Sequence, residues 1–301
     1  MTATARAHLA LIVSGLLYGA NYWVAKGLMP EFMQPMQIIF IRGFTSLILL
    51  WLFAFFINDR HVEKRDHLIL AACGLTGIAI NQTFFFLGLN LTSPVDAALI
   101  HSGSPVIVLL FSVLIAGEKA GWSKIAGIAL GAFGAVLLVL TGNFSNGGNN
   151  HLLGNMLILF NIVSYSLYLV MVKPLMAKYK ALTIMKWVFL YGFIFIFPFC
   201  INGIGDLSFS SFTPYAWFAI SYIVIGTTFF SYLLTTYSLK TLSAGTAGYY
   251  IYMQPVIAAS IGIIFFKESP ALIKIIAAIM VFTGVFLVNR NPSIRKGAEK
   301  V

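Results

Sequence analysis

Arg42 is the one charged residue in the run from Pro35 to Ile57, a stretch otherwise apolar or weakly polar. It lies about two helical turns in from Pro35. A cation at that depth in lipid costs at least about 2.5–3.5 kcal/mol on insertion scales, so it must snorkel, pair or face water. All nine carboxylates (Glu31, Asp59, Glu63, Asp66, Asp96, Glu118, Asp206, Glu268 and Glu299) fall in connections or near the ends of apolar stretches, so none is an obvious mate. Backbone carbonyls, a polar cluster or an anionic group on a solute remain as partners. Arg42 therefore has either a cavity or gating role or a structural one.

His101 is the one histidine at depth among five, and its side chain can titrate near neutral pH. His101 and Ser104 precede Pro105, as Tyr250 and Gln254 precede Pro255. Each proline lacks an N–H and clashes with the turn before it, freeing the carbonyls of His101 and Ile251. In a bilayer a freed carbonyl is tolerated only where protein or cavity water satisfies it. The paired prolines predict hinges beside a cavity, against packing kinks as the alternative. Polar and aromatic side chains also form helical stripes. Ser14, Tyr18 and Asn21, with Tyr22 alongside, share one face; Asn161, Tyr165 and Tyr168 share another. Asn81 and Gln82 answer Ser231 and Tyr232. Any one of these could simply bond a neighbouring helix. Together they predict one polar, aromatic-lined cavity.

Other chemistries lack their residues. Catalytic sites need clustered acid–base or metal-binding groups, and the histidines here are scattered. No phosphate-cradling Gly-Lys-Ser/Thr loop exists, so ATP is not the driver. No cofactor and no metal are expected. A carboxylate relay through the midplane is not evident, which leaves a facilitator, an exchanger, or proton coupling through His101. Asp96 reads first as part of a Ser93-x-x-Asp96 capping box, Glu118 and Glu268 as interfacial groups beside lysines, and Lys186 as a snorkelling lysine.

The elements that must hold these residues follow from composition. Hydrophobic residues make up 59% of the 301 and charged ones 9%, against roughly 45–50% and about 25% in soluble domains. Ten stretches reach the 20 or so apolar residues that cross a bilayer: about 8–28, 35–57, 67–89, 94–116, 123–141, 151–172, 182–202, 213–236, 243–266 and 271–289. The first is read as a retained span rather than a signal peptide, because Tyr18, Asn21 and Tyr22 interrupt it and no clean cleavage motif follows. Alternating the connections puts 14 Lys and Arg on the side of the N-terminus and 3 opposite. The net charge of +10 therefore reflects the positive-inside rule rather than nucleic acid, and puts both termini in the cytoplasm of an inner or plasma membrane. Cys73 and Cys200 fall inside spans as free thiols. The partners expected are the lipid bilayer and a small-molecule substrate.

Leu89–Leu138 aligns with Leu239–Val288 at a constant offset of 150 residues. Ser93, Pro105, Glu118, Lys124 and Gly134 each meet an identical residue there. A weaker echo at an offset near 147 joins Tyr18 to Tyr165 and Lys26 to Lys173. Five spans per repeat make the second half enter from the opposite face, an arrangement that places a solute near the midplane between the halves. The halves are residues 1–145 and 150–292, with a basic tail at 293–301 and a junction in the uncharged run Gly142 to Asn150. Gly15-x-x-x-Gly19 and Gly127-x-x-x-Gly131 permit close helix packing, so the chain is a monomer or a homodimer.

The run Ser93-Pro94-Val95-Asp96-Ala97-Ala98-Leu99-Ile100, then Pro105, then Gly117-Glu118 and a glycine-rich fifth span, resembles one half of an EamA-type transporter of the drug/metabolite transporter superfamily. Ser243-Ala244-Gly245-Thr246-Ala247, Pro255 and Glu268 repeat the pattern, and Pro35 followed by Arg42 is similar too. The resemblance implies ten spans, a central cavity lined by the first four helices of each half, and export or exchange of small metabolites. The expectation is an all-α membrane protein of two inverted five-helix repeats. It would be a secondary transporter of amino acids or related polar and amphipathic solutes, working by alternating access. Rival classes are a membrane-embedded enzyme and a non-transporting signalling subunit.

Overall fold

A computed structural model describes residues 2–56, 62–116, 121–140, 148–207, 209–242, 250–251, 253–267 and 272–289. Glu118, Glu268, the run Ser243 to Ala247, the junction up to Gly147 and the tail at 293–301 lie outside the described residues. Those described are helical almost throughout, with no strand among them. In chain order the α-helices are α1 (Ala3–Leu28), α2 (Pro35–Phe55), α3 (Asp66–Gly74), α4 (Asn81–Leu91), α5 (Pro94–His101), α6 (Ser104–Ala116), α7 (Trp122–Leu140), α8 (Gly148–Met176), α9 (Ala181–Ile204), α10 (Pro214–Ser221), α11 (Ser231–Ser238), α12 (Met253–Phe266) and α13 (Leu272–Asn289). Two π-helical segments, Leu75–Ile80 and Tyr222–Phe230, join α3 to α4 and α10 to α11 without a break.

Helix starts carry their own signals. Thr2, Ser93 and Thr213 accept the backbone N–H of the residue three further on, satisfying donors that no helical carbonyl can reach. Pro35, Pro94 and Pro214 occupy first turns, where a missing N–H does no harm. Seven described helices are long and apolar enough to cross a membrane, and three shorter apolar ones lie in α7, α12 and α13. Large apolar side chains such as Phe44, Leu52, Phe55, Leu114, Phe199 and Phe266 stand exposed on the outside, while Asn21, Arg42, Asn81, Gln82, Asn161 and Gln254 are buried inside. A surface that is apolar outward and polar inward suits lipid rather than water. Cys73 and Cys200 are buried and unlinked.

Both glycine motifs face inward, within the chain. Gly15 and Gly19 lie against Met253, Tyr250 and Ile257. On α7 and α13, Gly134 meets Ala277 and Val281, while Gly284 meets Gly127 and Gly131. Ser123 donates to the Leu287 carbonyl at 2.7 Å, so the two helices run antiparallel.

At the end of the bundle where α3 begins, Asp66 is buried and accepts the Tyr179 hydroxyl at 2.7 Å and the Lys178 ammonium at 3.0 Å. Tyr179 in turn accepts the Glu63 N–H, so the cluster ties the turn before α3 to the turn after α8. The Lys178 side chain is 40% exposed, so its Coulombic share is screened and small. Loss of the charge-assisted phenol hydrogen bond makes up the rest. Asp66→Ala is expected to lower stability by about 1–2 kcal/mol. An unchanged unfolding midpoint in detergent would refute the latch.

Candidate functional site

The two π segments set the geometry of the interior. A π turn bonds i to i+5, which shifts the face presented by the helix that follows and leaves some carbonyls without their usual partners. Hydroxyls take those up. Thr227 and Thr228 both donate to the Ile223 carbonyl, at 2.8 and 2.7 Å, and Ser231 donates to that of Gly226 at 3.0 Å. Thr76 donates to the Ala72 carbonyl at 2.8 Å. Directly after the segments come Asn81 with Gln82 and Ser231 with Tyr232, and Asn81, Gln82 and Tyr232 face one cavity.

That cavity has a volume of about 800 Å³ counted out to its mouth. Residues on α1, α2, α4, α5, α8 and α11 line it, together with Tyr250, Ile251 and Gln254. Of the residues singled out from sequence, Tyr18, Asn21, Arg42, Asn81, Gln82, His101, Tyr165, Tyr232, Tyr250 and Gln254 meet there, with Ser14, Tyr22 and Asn161 of the stripes. Tyr22 donates to Gln254 Oε1 at 3.1 Å, Ser14 bonds Thr235 at 3.0 Å, and Tyr232 donates to the Gly77 carbonyl at 3.2 Å. Asn81 and Asn161 each donate to the other's backbone carbonyl, at 3.4 and 2.7 Å, so these amides also clasp α4 to α8.

Ser104 and Tyr168 do not line the cavity. Ser104 donates to the His101 carbonyl at 2.7 Å and so satisfies the acceptor that Pro105 frees. The fourth span breaks at Ser102 and Gly103, with Pro105 in the first turn of α6; Pro255 is likewise in the first turn of α12. Tyr168 shares a stripe with Tyr165, but its ring packs where Gly77 has no side chain, with the hydroxyl 3.9 Å from Met185 Sδ. Lys186 lies over Trp51, 5.2 Å from the ring centroid, outside the cavity. Sequence reasoning passed over Leu11, Gly15, Phe85, Leu169, Thr235 and Ile251, which also line the site. Phe85 and Thr235 follow Gln82 and Tyr232 at helical spacing, so the stripes reached them; their residue types gave no distinguishing sign.

Several lining groups have no protein partner. Tyr18 Oη, Arg42 Nε, His101 Nδ1 and Asn161 Oδ1 are buried and unpaired. The Gln82 amide, beside the Tyr232 phenol, completes no hydrogen bond at either end. Buried polar atoms rarely go unpaired, and in this cavity they present donors and acceptors to a solute or water.

The far end, beyond Tyr22 and His101, is shut. Lys26 Nζ donates to the Leu89 and Asn90 carbonyls at 2.9 and 2.8 Å, capping α4. Trp23 donates to the Ala258 carbonyl at 2.8 Å and stacks on Phe266 with centroids 4.0 Å apart. At the other end His8 Nδ1 bonds the Tyr250 hydroxyl at 2.7 Å.

Comparison with known proteins agrees along the length of the chain. The model of the EamA-like transporter family matches residues 5–140 and again 152–290. An uncharacterized transporter of Archaeoglobus fulgidus is 26% identical over 94% of this chain and 96% of its own. The uncharacterized transporter YetK of Bacillus subtilis is 25% identical over 98% and 91%. A probable terminal-alkyne amino-acid exporter of Streptantibioticus cattleyicolor is 23% identical over 77% and 76%. One solved crystal structure superposes with a TM-score of 0.64 at 18% identity, covering 99% of both chains, and so has the same fold.

Proposed function

The chain belongs to the EamA-like transporter family, and from that premise we propose that it is a secondary transporter of small polar or amphipathic metabolites such as amino acids. It acts as an exporter or exchanger by alternating access between two inverted halves. The observation that carries this reading is the shared cavity: α1, α2, α4 and α5 of residues 1–145 face α8, α11, Tyr250 and Gln254 of residues 150–292 across one space. A site walled by both halves changes access when they rock against each other.

The ten-span count rests on the seven long apolar helices with the three shorter ones. The inverted relation is supported by the α7–α13 contact. Gly134 against Ala277 and Gly284 against Gly127 are the same contact with the two repeats exchanged, since 127 and 134 become 277 and 284 at the offset of 150. Antiparallel helices exchange in this way about an axis lying in the membrane plane. The charge asymmetry favours a cell membrane location with both termini in the cytoplasm. The name of the Streptantibioticus relative lends weight to amino acids as the solute class.

The test is solute counterflow in proteoliposomes, with substrates drawn from a comparison of internal and external metabolite pools in overexpressing cells. His101→Ala and Gln254→Ala are each expected to lower flux at least about tenfold, because each removes a group bordering the solute in a desolvated site. Flux unchanged by both would sink the site assignment, and liposomes with no flux of any accumulated metabolite would sink the transporter reading.

A further inference from the structure

Resting on the transporter reading, we propose that the cavity selects its solute by one carboxylate, held on the guanidinium of Arg42, with a flat apolar body against the tyrosines.

Arg42 is 4% exposed, and its Nε has no hydrogen-bond partner. Among the described residues no carboxylate pairs with it; its close contact is the Phe86 ring, 4.9 Å from Cζ. That ring covers one face of the guanidinium and leaves its hydrogen-bonding edge free. No Asp, Glu or Lys is among the residues lining the cavity. The described wall therefore carries one permanent positive charge and no counter-charge. A buried cation without a partner is strongly unfavourable, and a bound anion removes that penalty while gaining charge-assisted hydrogen bonds.

The groups nearby suit a carboxylate. The phenols of Tyr18 and Tyr232 lie within electrostatic reach of Arg42, and the Tyr18 hydroxyl and the Gln82 amide are donors without acceptors. A carboxylate offers about four lone-pair sites, enough for the guanidinium edge and both neighbours. One guanidinium balances one charge, so a phosphate dianion would leave a surplus in the same desolvated space. An amine would meet a like charge and no acidic partner. The remainder of the wall includes Tyr22, Phe85, Tyr165 and Tyr250, whose rings suit a planar apolar body.

Purified protein in detergent is titrated by calorimetry with phenylacetate, phenylacetamide, 2-phenylethylamine and phenylphosphonate at neutral pH. Phenylacetate is expected to bind at least about tenfold more tightly than the other three, the size of one charge-assisted hydrogen bond. Arg42→Gln is expected to abolish that preference while leaving the amide's affinity unchanged, and Arg42→Lys to retain part of it. Equal affinity for acid and amide in the unaltered protein, absence of binding by all four, or a preference that survives in Arg42→Gln overturns the proposal. Should Arg42→Gln fail to fold, the comparison of acid with amide in the unaltered protein decides alone. Phenylacetate counterflow in proteoliposomes separates the two readings. An acid preference without exchange refutes transport and leaves the carboxylate assignment standing; exchange without acid preference does the reverse.

Discussion

Replacing Lys26 with methionine is expected to raise, by about tenfold or more, the rate at which a cysteine placed at Phe85 reacts with a membrane-impermeant thiol reagent added on the Lys26 side. The Lys26 ammonium donates to two carbonyls at the end of α4, and hydrogen bonds to charged groups contribute about 1.5–3 kcal/mol each. Lys26 is partly exposed, so water recovers a share of that when the bonds break, and the net effect falls toward the lower end. Under alternating access both bonds must break before the far end opens, so their loss shifts the population toward the open form. Methionine keeps the length and apolar stem of the side chain, which leaves the charge as the variable. The measurement uses a background of Cys73→Ser and Cys200→Ser. Labelling that stays as slow as in the parent would remove Lys26 from the gate, leaving the Trp23–Phe266 stack to hold that end shut.

The largest effect on stability is expected where α7 meets α13. A Cβ added to Gly284 would stand 2.6 Å from the Gly131 nitrogen and 2.7 Å from the Gly127 carbonyl oxygen. Added to Gly134, it would stand 2.9 Å from the Ala277 carbonyl oxygen. These obstacles are backbone, so they cannot rotate aside and the helices must separate. Gly284→Leu is expected to cost about 3 kcal/mol, the upper end of overpacking penalties. Gly134→Leu should cost nearly as much, because it opens the same contact from the other side. Once one substitution has parted the helices the second has less to disturb, so the double variant should cost less than the sum. Additive effects in thermal unfolding would show that the two glycines act in separate contacts.

Much of the site was legible in the sequence because membrane interiors make polarity conspicuous. Arg42, His101, Gln254 and the tyrosine stripes stood out against apolar neighbours, and ten of the twelve residues singled out as lining it meet in the cavity. Ser104 was misassigned for a local reason: its hydroxyl turns back on its own chain to the His101 carbonyl, a competition that spacing does not show. Tyr168 was lost to a partner 91 positions away in sequence, Gly77, which leaves room for its ring. Phe85, Leu169 and Ile251 line the site but belong to residue types that fill every span. The π segments left no pattern, because an extra residue in a turn alters the facing of a helix without altering its composition. Thr227 and Thr228 are its nearest trace, and hydroxyls back-bonding to carbonyls are ordinary in membrane helices.

Chain length, and not residue identity alone, therefore selects what the solute meets. Each α-helical residue turns the helix by about 100°, so removing one from Leu75–Ile80 and letting it revert to α geometry would rotate Asn81 and Gln82 off the wall without changing any side chain there. The segment Tyr222–Phe230 holds Tyr232 in the same way. Two proteins of this fold that differ by a single deletion in either segment would then present different residues to their solutes from nearly identical sequences. An ungapped pairing of the two would equate positions that point a quarter-turn apart. Substrate range can thus drift through insertions and deletions of one residue at these two places, a vernier set into the third and eighth spans.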